Sequence, residues 1–406
     1  MVHTATGLVR RTEAPSASPC STTATWDSSS PERRSCSSIR TVVESTTADG
    51  NGQARADVLP GASVTAFTGP HRLTTTLGLA PGDDLIIGNA PTPPATQLGS
   101  FTIRWEPLGG HPLNYEVYGP CEFSPAPAGQ SSVTVDFTNA CHPDGGEVLV
   151  TTADGIARVS TELAGIRLVD GGSATLPATW IPNLTFTASY TNLTAIRHIE
   201  LERRVPDDGY SSTLQRDVTG LAAIDVDLDG PPGATSRIET TIMSDTGGTQ
   251  YVRQLVPGNV AASPFDASEL LLPWLATPTV DAAARRVELP HVAVGTSQAI
   301  GDLLEVNLAW PQDDGIYQWR LFGPDTAAVE IPVLPAALGV TLPPTPGNRL
   351  IAYATLYEAD AFAGYDDVRG NIHVAIVKTI VGPRSPAQTI RWVASDPFVF
   401  SGVDGR

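Results

Sequence analysis

Short runs in which apolar and polar residues alternate recur along the whole chain, and they predict strands rather than helices. From residue 39 to about 90, SIRTVVESTTADGNGQARADVLPGASVTAFT alternates on both sides of Asp49-Gly50 and Asn51-Gly52. These dipeptides favour the positive φ that tight hairpin turns need. Pro60-Gly61 makes the next turn, and HRLTTTLGLAPGDDLIIGN predicts two further strands around Pro81-Gly82-Asp83-Asp84. A proline-rich link, APTPPATQ, follows.

The same grammar continues to the C-terminus. FTIRWEP, LNYEVYG, SVTVDFTN, EVLVTTAD, IARVSTEL and ATLPATWIP read as strands at the spacing of a β-sandwich. LTFTASYTNL, IRHIELERRV, YSSTLQRDVTG, AAIDVDLDG, TSRIETTIMS and TQYVRQLVPG repeat the style. A linker around ASPFDASELLLPWLATPT holds the one short helical candidate, near Ala267–Leu272. ARRVELP, LLEVNLAW, IYQWRLFG, VEIPVLP, LIAYATLYEAD, HVAIVKTIV and TIRWVAS are the last strands, with Trp310, Trp319 and Trp392 as core anchors. The expected fold is all-β, with tandem antiparallel sandwiches of Ig-like or transthyretin-like type. The expected divisions are a leader at 1–38 and β units at 39–95, 96–181, 182–277 and 278–400.

Composition fits this picture. The 406 residues give room for about three domains. Hydrophobic residues at 41% supply real cores, and 37 Gly with 35 Pro supply frequent turns. Net charge is -18, which argues against a nucleic-acid partner and against docking on anionic lipid. Of 25 basic residues only Lys378 is lysine, a bias that reads as codon usage. No apolar run is long enough for a transmembrane helix. The first forty residues are rich in Ser, Thr, Pro and Arg and lack the apolar stretch of a signal peptide, so they read as a disordered leader or a misplaced start.

Candidate chemistry is sparse. Asp225-Val-Asp227-Leu-Asp229-Gly230 matches the opening of a calcium loop, but the twelfth position is Ser236 and Pro231-Pro232 interrupt the wrap. Period-2 alternation explains the same residues with Val226 and Leu228 inward and the carboxylates in water. The acidic pairs Asp83-Asp84, Asp207-Asp208, Asp313-Asp314 and Asp366-Asp367 read as turn residues, although distant carboxylates could still meet as a glycosidase pair. No two histidines have metal-pair spacing, and no nucleophile elbow or phosphate-binding loop occurs. Trp105, Trp180, Trp274, Trp319 and Tyr365 are candidates for stacking on carbohydrate, with core anchoring as the stronger reading. No catalytic, cofactor or metal residue is assigned.

The segment TTADGNGQARADVLPGASVTAF resembles the carboxypeptidase regulatory-like module, a small transthyretin-like sandwich. Thr47, Asp49, Gly50, Gly52, Leu59, Pro60 and Gly61 carry the likeness, which bacterial Ig-like modules share. The whole chain is similar to large myxobacterial secreted proteins and lipoproteins. The resemblance implies an extracytoplasmic location and no catalytic residue. The expected role is therefore binding, adhesion or structural display toward a protein or glycan ligand. The alternatives are a carbohydrate-acting enzyme with carboxylates from distant strands, and a calcium-stabilised adhesin.

Cys121 and Cys141 lie in a loop between predicted strands, and a disulfide there fits an oxidising compartment. Two buried free thiols are the other reading. If the bridge forms, the non-reduced protein yields one linked peptide carrying both residues, two hydrogens lighter than the reduced pair. Reduction then lowers stability by about 3 kcal/mol. Full alkylation of both thiols in the non-reduced, unfolded protein would rule the bridge out.

Overall fold

A computed structural model describes residues 6–12, 41–47, 57–69, 71–87, 96–109, 113–119, 123–139, 144–152, 159–205, 210–230, 235–244, 248–257, 261–281, 284–292, 300–312, 314–334, 339–340, 350–371, 376–381, 387–395 and 398–400. Strands take 61% and helices 5%, so the protein is all-β. Strands β1 (Thr6–Thr12), β2 (Thr41–Thr47), β3 (Ala62–Gly69) and β4 (Arg72–Leu79) come first. Then follow β5 (Gln97–Arg104), β6 (Tyr115–Tyr118), β7 (Phe123–Ala126), β8 (Ser132–Thr138), β9 (Asp144–Thr152), β10 (Val159–Arg167), β11 (Gly172–Thr175) and β12 (Ile181–Pro182). The middle of the chain holds β13 (Leu184–Thr191), β14 (Ile196–Val205), β15 (Tyr210–Asp217), β16 (Ala223–Gly230), β17 (Thr235–Ser244), β18 (Thr249–Pro257), β19 (Ala262–Asp266), α1 (Ala267–Leu270) and β20 (Trp274–Leu275). The last part holds β21 (Thr279–Asp281), β22 (Arg286–Glu288), β23 (His291–Val292), β24 (Leu303–Gln312), β25 (Gly315–Gly323), β26 (Ala328–Glu330), β27 (Leu350–Ala359), α2 (Tyr365–Gly370), α3 (Ile376–Val381), β28 (Thr389–Ala394) and β29 (Phe398–Phe400).

Residues 96–181 build a sandwich of their own. One sheet has the order β11-β5-β8 and the other β12-β10-β9-β6-β7. Their inner faces close over Phe101, Ile103, Tyr115, Val117, Phe137 and Val150, all nearly inaccessible to solvent. Alternation produces this directly, since every second residue of each strand turns inward.

Elsewhere the sheets are shared. A 13-stranded sheet runs β15-β14-β17-β18-β28-β27-β24-β25-β4-β3-β1-β2, with β29 also on β27. It draws strands from the 1–38, 39–95, 182–277 and 278–400 segments. The sheet β16-β13-β19 packs on one part of its inner face and β21-β22-β26 on another, over one continuous core from Phe186 to Val393. Most pairings are antiparallel; β4–β25, β5–β11 and β13–β19 are parallel.

Several expectations are corrected. Within the predicted leader, Thr6–Thr12 is a strand paired with Thr41–Thr47 and with β3. Its β-branched Thr6, Val9 and Thr12 suit a pleated backbone, and the Ser- and Pro-rich composition belongs to the residues after it. Residues 85–87 of the expected strand LIIGN form none. Most of HVAIVKTIV is the helix α3, and α2 precedes it. Short apolar runs do not separate a buried helix from a buried strand, and here tertiary packing decides. Both helices cover one end of the outer face of the large sheet through Tyr365, Val368, Ile376 and Ile380, packed on Leu303, Phe322 and Tyr357. The helix expected near Ala267–Leu272 is α1, capped by the Asp266 side chain on the Ser268 amide at 2.8 Å.

The N-terminal strands are held to the C-terminal ones by specific bonds. Trp319, fully buried, donates its indole N–H to Thr75 Oγ1 at 2.8 Å, and Thr75 shares a 2.7 Å hydroxyl contact with Thr65. From α2, Tyr365 donates its hydroxyl to the Leu77 carbonyl at 2.6 Å. Arg369 donates to the Gly78 carbonyl and pairs with Asp83 at 2.9 Å. Leu59-Pro60-Gly61-Ala62 is a type II turn, with Gly61 at φ +81 and the Ala62 amide on the Leu59 carbonyl at 3.1 Å.

Thr75→Val keeps the shape but leaves the Trp319 indole N–H buried without its acceptor. The substitution is expected to cost about 1–3 kcal/mol, more than Thr65→Val, read as the shift of the urea midpoint at unchanged slope. Equal effects from the two variants would show that the indole bond contributes nothing.

Candidate functional site

The outer face of the large sheet carries a polar row across three adjacent strands. Backbone register sets Arg320 of β25 opposite Asn307 of β24, and Asn307 opposite Tyr353 of β27. One pleat along β24, Glu305 lies on the same face opposite Phe322 and Thr355. Local sequence explains the face. In LLEVNLAW the alternate residues Leu304, Val306, Leu308 and Trp310 enter the core, so Glu305 and Asn307 must point the other way.

Glu305 organises the row. Its Oε1 accepts from Arg320 Nε at 2.8 Å and Asn307 Nδ2 at 2.9 Å, and its Oε2 accepts from the Tyr357 hydroxyl at 3.0 Å. Only 5% of Glu305 is exposed, so three donors, one of them a guanidinium, compensate a nearly buried carboxylate. Burial and the Glu305 charge push the Tyr357 hydroxyl far above its usual range. The same two causes raise Tyr353, with Arg320 opposing.

Outward, the row is open. Tyr353 is 40% exposed, and neither its ring nor its hydroxyl is paired with any described residue. Arg320 packs its guanidinium over Phe322 at 4.9 Å and spends only Nε on Glu305. Farther along the face, Tyr251 stacks on Trp392 at 5.0 Å, and Arg253 lies over Trp392 while pairing with Glu239 at 2.7 Å.

The residues singled out from sequence fall elsewhere. Trp105, Trp274, Trp319 and Tyr365 are buried anchors, and half-buried Trp180 donates to the Glu106 carbonyl beside Tyr115. Trp310 and Trp319 sit in the core as expected, whereas Trp392 is half-buried on the outer face. Asp225 and Asp227 are exposed on β16 with Val226 and Leu228 inward, and Asp227 accepts from Thr187 Oγ1 at 2.6 Å. Of the acidic pairs, Asp83 caps the Ala80 amide, Asp314 accepts from Tyr317, and Asp367 accepts from the Ala363 amide. These are turn and cap roles, and Asp83 and Asp366 are brought together as ion-pair partners of Arg369. Asp207, Asp208, Asp313, Cys121 and Cys141 lie outside the described residues. Among the described residues no group of three His, Cys, Asp or Glu could hold a metal ion.

Sequence reasoning missed Glu305, Asn307, Arg320 and Tyr353. A signal existed: LLEVNLAW, YQWRLF and LIAYATLY each keep polar or amphipathic residues on one parity. That these parities align into one row depends on strand order and register, which no single strand reveals.

Asp302, just before β24, is a second buried carboxylate. It is 4% exposed, accepts from the Ala359 amide at 2.8 Å, and its own amide donates to the Tyr357 carbonyl at 2.7 Å. Burial raises its pKa to about 6, with the nearby Glu358 adding to the rise. Glu358 is itself paired to Arg391 at 2.6 Å. Asp302 therefore fastens the start of β24 to the end of β27.

No protein-family model matches the chain, and no curated protein matches it. Among solved structures it is similar to the crystal structure of chicken CNTN1 FN1-FN3 domains, at 8% identity over 73% of this chain and 89% of that one, with a TM-score of 0.15. A likeness at that score carries no argument, and the all-β class rests on the strands of this chain. No described helix is long and apolar enough to cross a membrane.

An acid raised by folding is protonated more readily in the native state, so its contribution to stability is present at low pH and is lost as pH rises from about 4 through 6. Asp302→Asn is expected to remove that component, up to about 3 kcal/mol, while its carbonyl still accepts from Ala359. The variant should be more stable than the wild type at pH 7, with the difference shrinking toward pH 4. Parallel stability curves for the two proteins would refute the assignment.

Proposed function

We propose that this chain is an extracytoplasmic, non-enzymatic binding protein and that the open outer face of its large sheet is the binding surface. One observation carries the reading: Glu305 fixes Arg320 and Asn307 by hydrogen bonds, while the terminal nitrogens of Arg320 and the ring of Tyr353 are left open to solvent. A broad sheet is a stiff support, so such a row is ordered before a ligand arrives and loses little entropy on binding. The most buried acid of this face, Glu305, is held by three donors, which fits positioning better than proton transfer. The Cys121/Cys141 pair and the likeness to secreted proteins support export, with a glycan or protein ligand outside the cell.

The test is fractionation of cells that express the gene with its upstream codons, followed by assay of the purified protein. The protein is expected in the envelope or medium, and glycans incubated with it should show no release of new reducing ends. A cytosolic protein would overturn the location, and turnover abolished by Glu305→Gln would overturn the non-enzymatic reading.

A further inference from the structure

We propose that the row Arg320–Asn307–Tyr353 is a binding site for a neutral saccharide. The inference rests on the binding-surface reading above and names the ligand class.

Four features of the row point to sugar. Tyr353 offers an aromatic ring that is 40% exposed and stacked on no described ring, a flat apolar platform for the C–H face of a pyranose. Its hydroxyl has no partner among the described residues. Asn307 gives its amide N–H to Glu305 and lies 9% exposed between the two outer residues, its carbonyl oxygen bonded to no described residue. Arg320 gives Nε to the same carboxylate, and its terminal nitrogens make no bond to a described residue. Ring, acceptor and donors thus stand side by side, and a polyhydroxy ligand needs that mixture, because each sugar hydroxyl both gives and takes a hydrogen bond.

Dimensions and charge select further. Arg320 and Tyr353 are separated by two strand spacings, about 9.5 Å, which spans one to two sugar rings. Glu305 offsets Arg320 within the site, so the row has no net charge. The chain as a whole is strongly acidic, at -18, and disfavours a polyanionic glycan. The helices α2 and α3 cover the Leu303, Phe322 and Tyr357 end of the face, one pleat or more from the row, and so bound the surface on that side.

The experiment titrates the whole chain with cellohexaose, xylohexaose, mannohexaose, maltohexaose and chitohexaose, with polygalacturonate as the charged counterpart. Wild type, Tyr353→Ala and Tyr353→Phe are compared by calorimetry, after melting curves show that all three are folded. At least one neutral hexaose is expected to bind. Tyr353→Ala should weaken it about tenfold or more, and Tyr353→Phe should hold within about threefold, because the ring remains. Binding of polygalacturonate alone, binding unchanged in Tyr353→Ala, or no binding of any neutral hexaose would overturn the proposal. Co-sedimentation with purified bacterial cell walls separates the two layers of the argument. Loss of co-sedimentation in Tyr353→Ala without hexaose binding would remove the saccharide and leave the binding surface standing. No co-sedimentation and no hexaose binding would remove both.

Discussion

The register of β24 against its two neighbours is the constraint on which the rest of the structure depends. Side chains alternate with period two, so a slip of one residue would exchange its faces. In the observed register Leu304, Val306, Leu308 and Trp310 enter the continuous core, while Leu303, Glu305 and Asn307 face outward. The start of the strand is pinned twice, by the Asp302 carboxylate on the Ala359 amide and by the Asp302 amide on the Tyr357 carbonyl. Gly301 completes the fastening, because a Cβ there would lie 2.2 Å from Leu356 Cδ1. A slipped register would send Glu305 into the core and Val306 into water, an exchange of several kcal/mol against the native pairing.

That strand also explains why the segments do not close separately. β24 shares one core with β21-β22-β26 and is flanked by β25 and β27, so it continues the sheet rather than ending it. β25 then offers its free edge to β4. The parallel junction is sealed by the Trp319–Thr75 bond, which satisfies an indole N–H with no access to water. Arg369, held by Asp83, Asp366 and the Gly78 carbonyl, ties α2 over the same junction. An edge that would invite another chain is covered by the protein's own N-terminal strands.

Much of the fold was legible in the sequence because strand alternation is a local property. TVDF, YEVY and IDVDL declare their faces without help from the rest of the chain, and β16 behaves as its pattern predicts, with Val226 and Leu228 inward. The failures are those in which distant packing decides. IVKTIV is apolar enough for either element, and it becomes α3 because it covers the outer face where Leu303 and Tyr357 need burial. The β4–β25 pairing joins residues whose sequence separation gives no local hint. The site was missed for the same reason. Arg320, Asn307 and Tyr353 belong to three runs, and only the sheet order places them side by side.

The geometry around Glu305 suits holding its neighbours in place better than proton transfer. A carboxylate that works as a nucleophile or general base needs a free oxygen toward the reacting atom. Both oxygens of Glu305 accept from groups in its own sheet, and the residue lies beneath the row rather than in it. Its charge orients the Asn307 amide, the Arg320 guanidinium and the Tyr357 phenol, and of these Arg320 keeps its terminal nitrogens for something outside. Tyr357 shows the division of labour: its hydroxyl is consumed by Glu305, it is packed under the helices, and the environment holds its proton in place. Tyr353, one pleat away from Thr355 on the same strand, has no such partner and reaches water. Two tyrosines on one face thus do opposite things because α2 and α3 cover one and leave the other open.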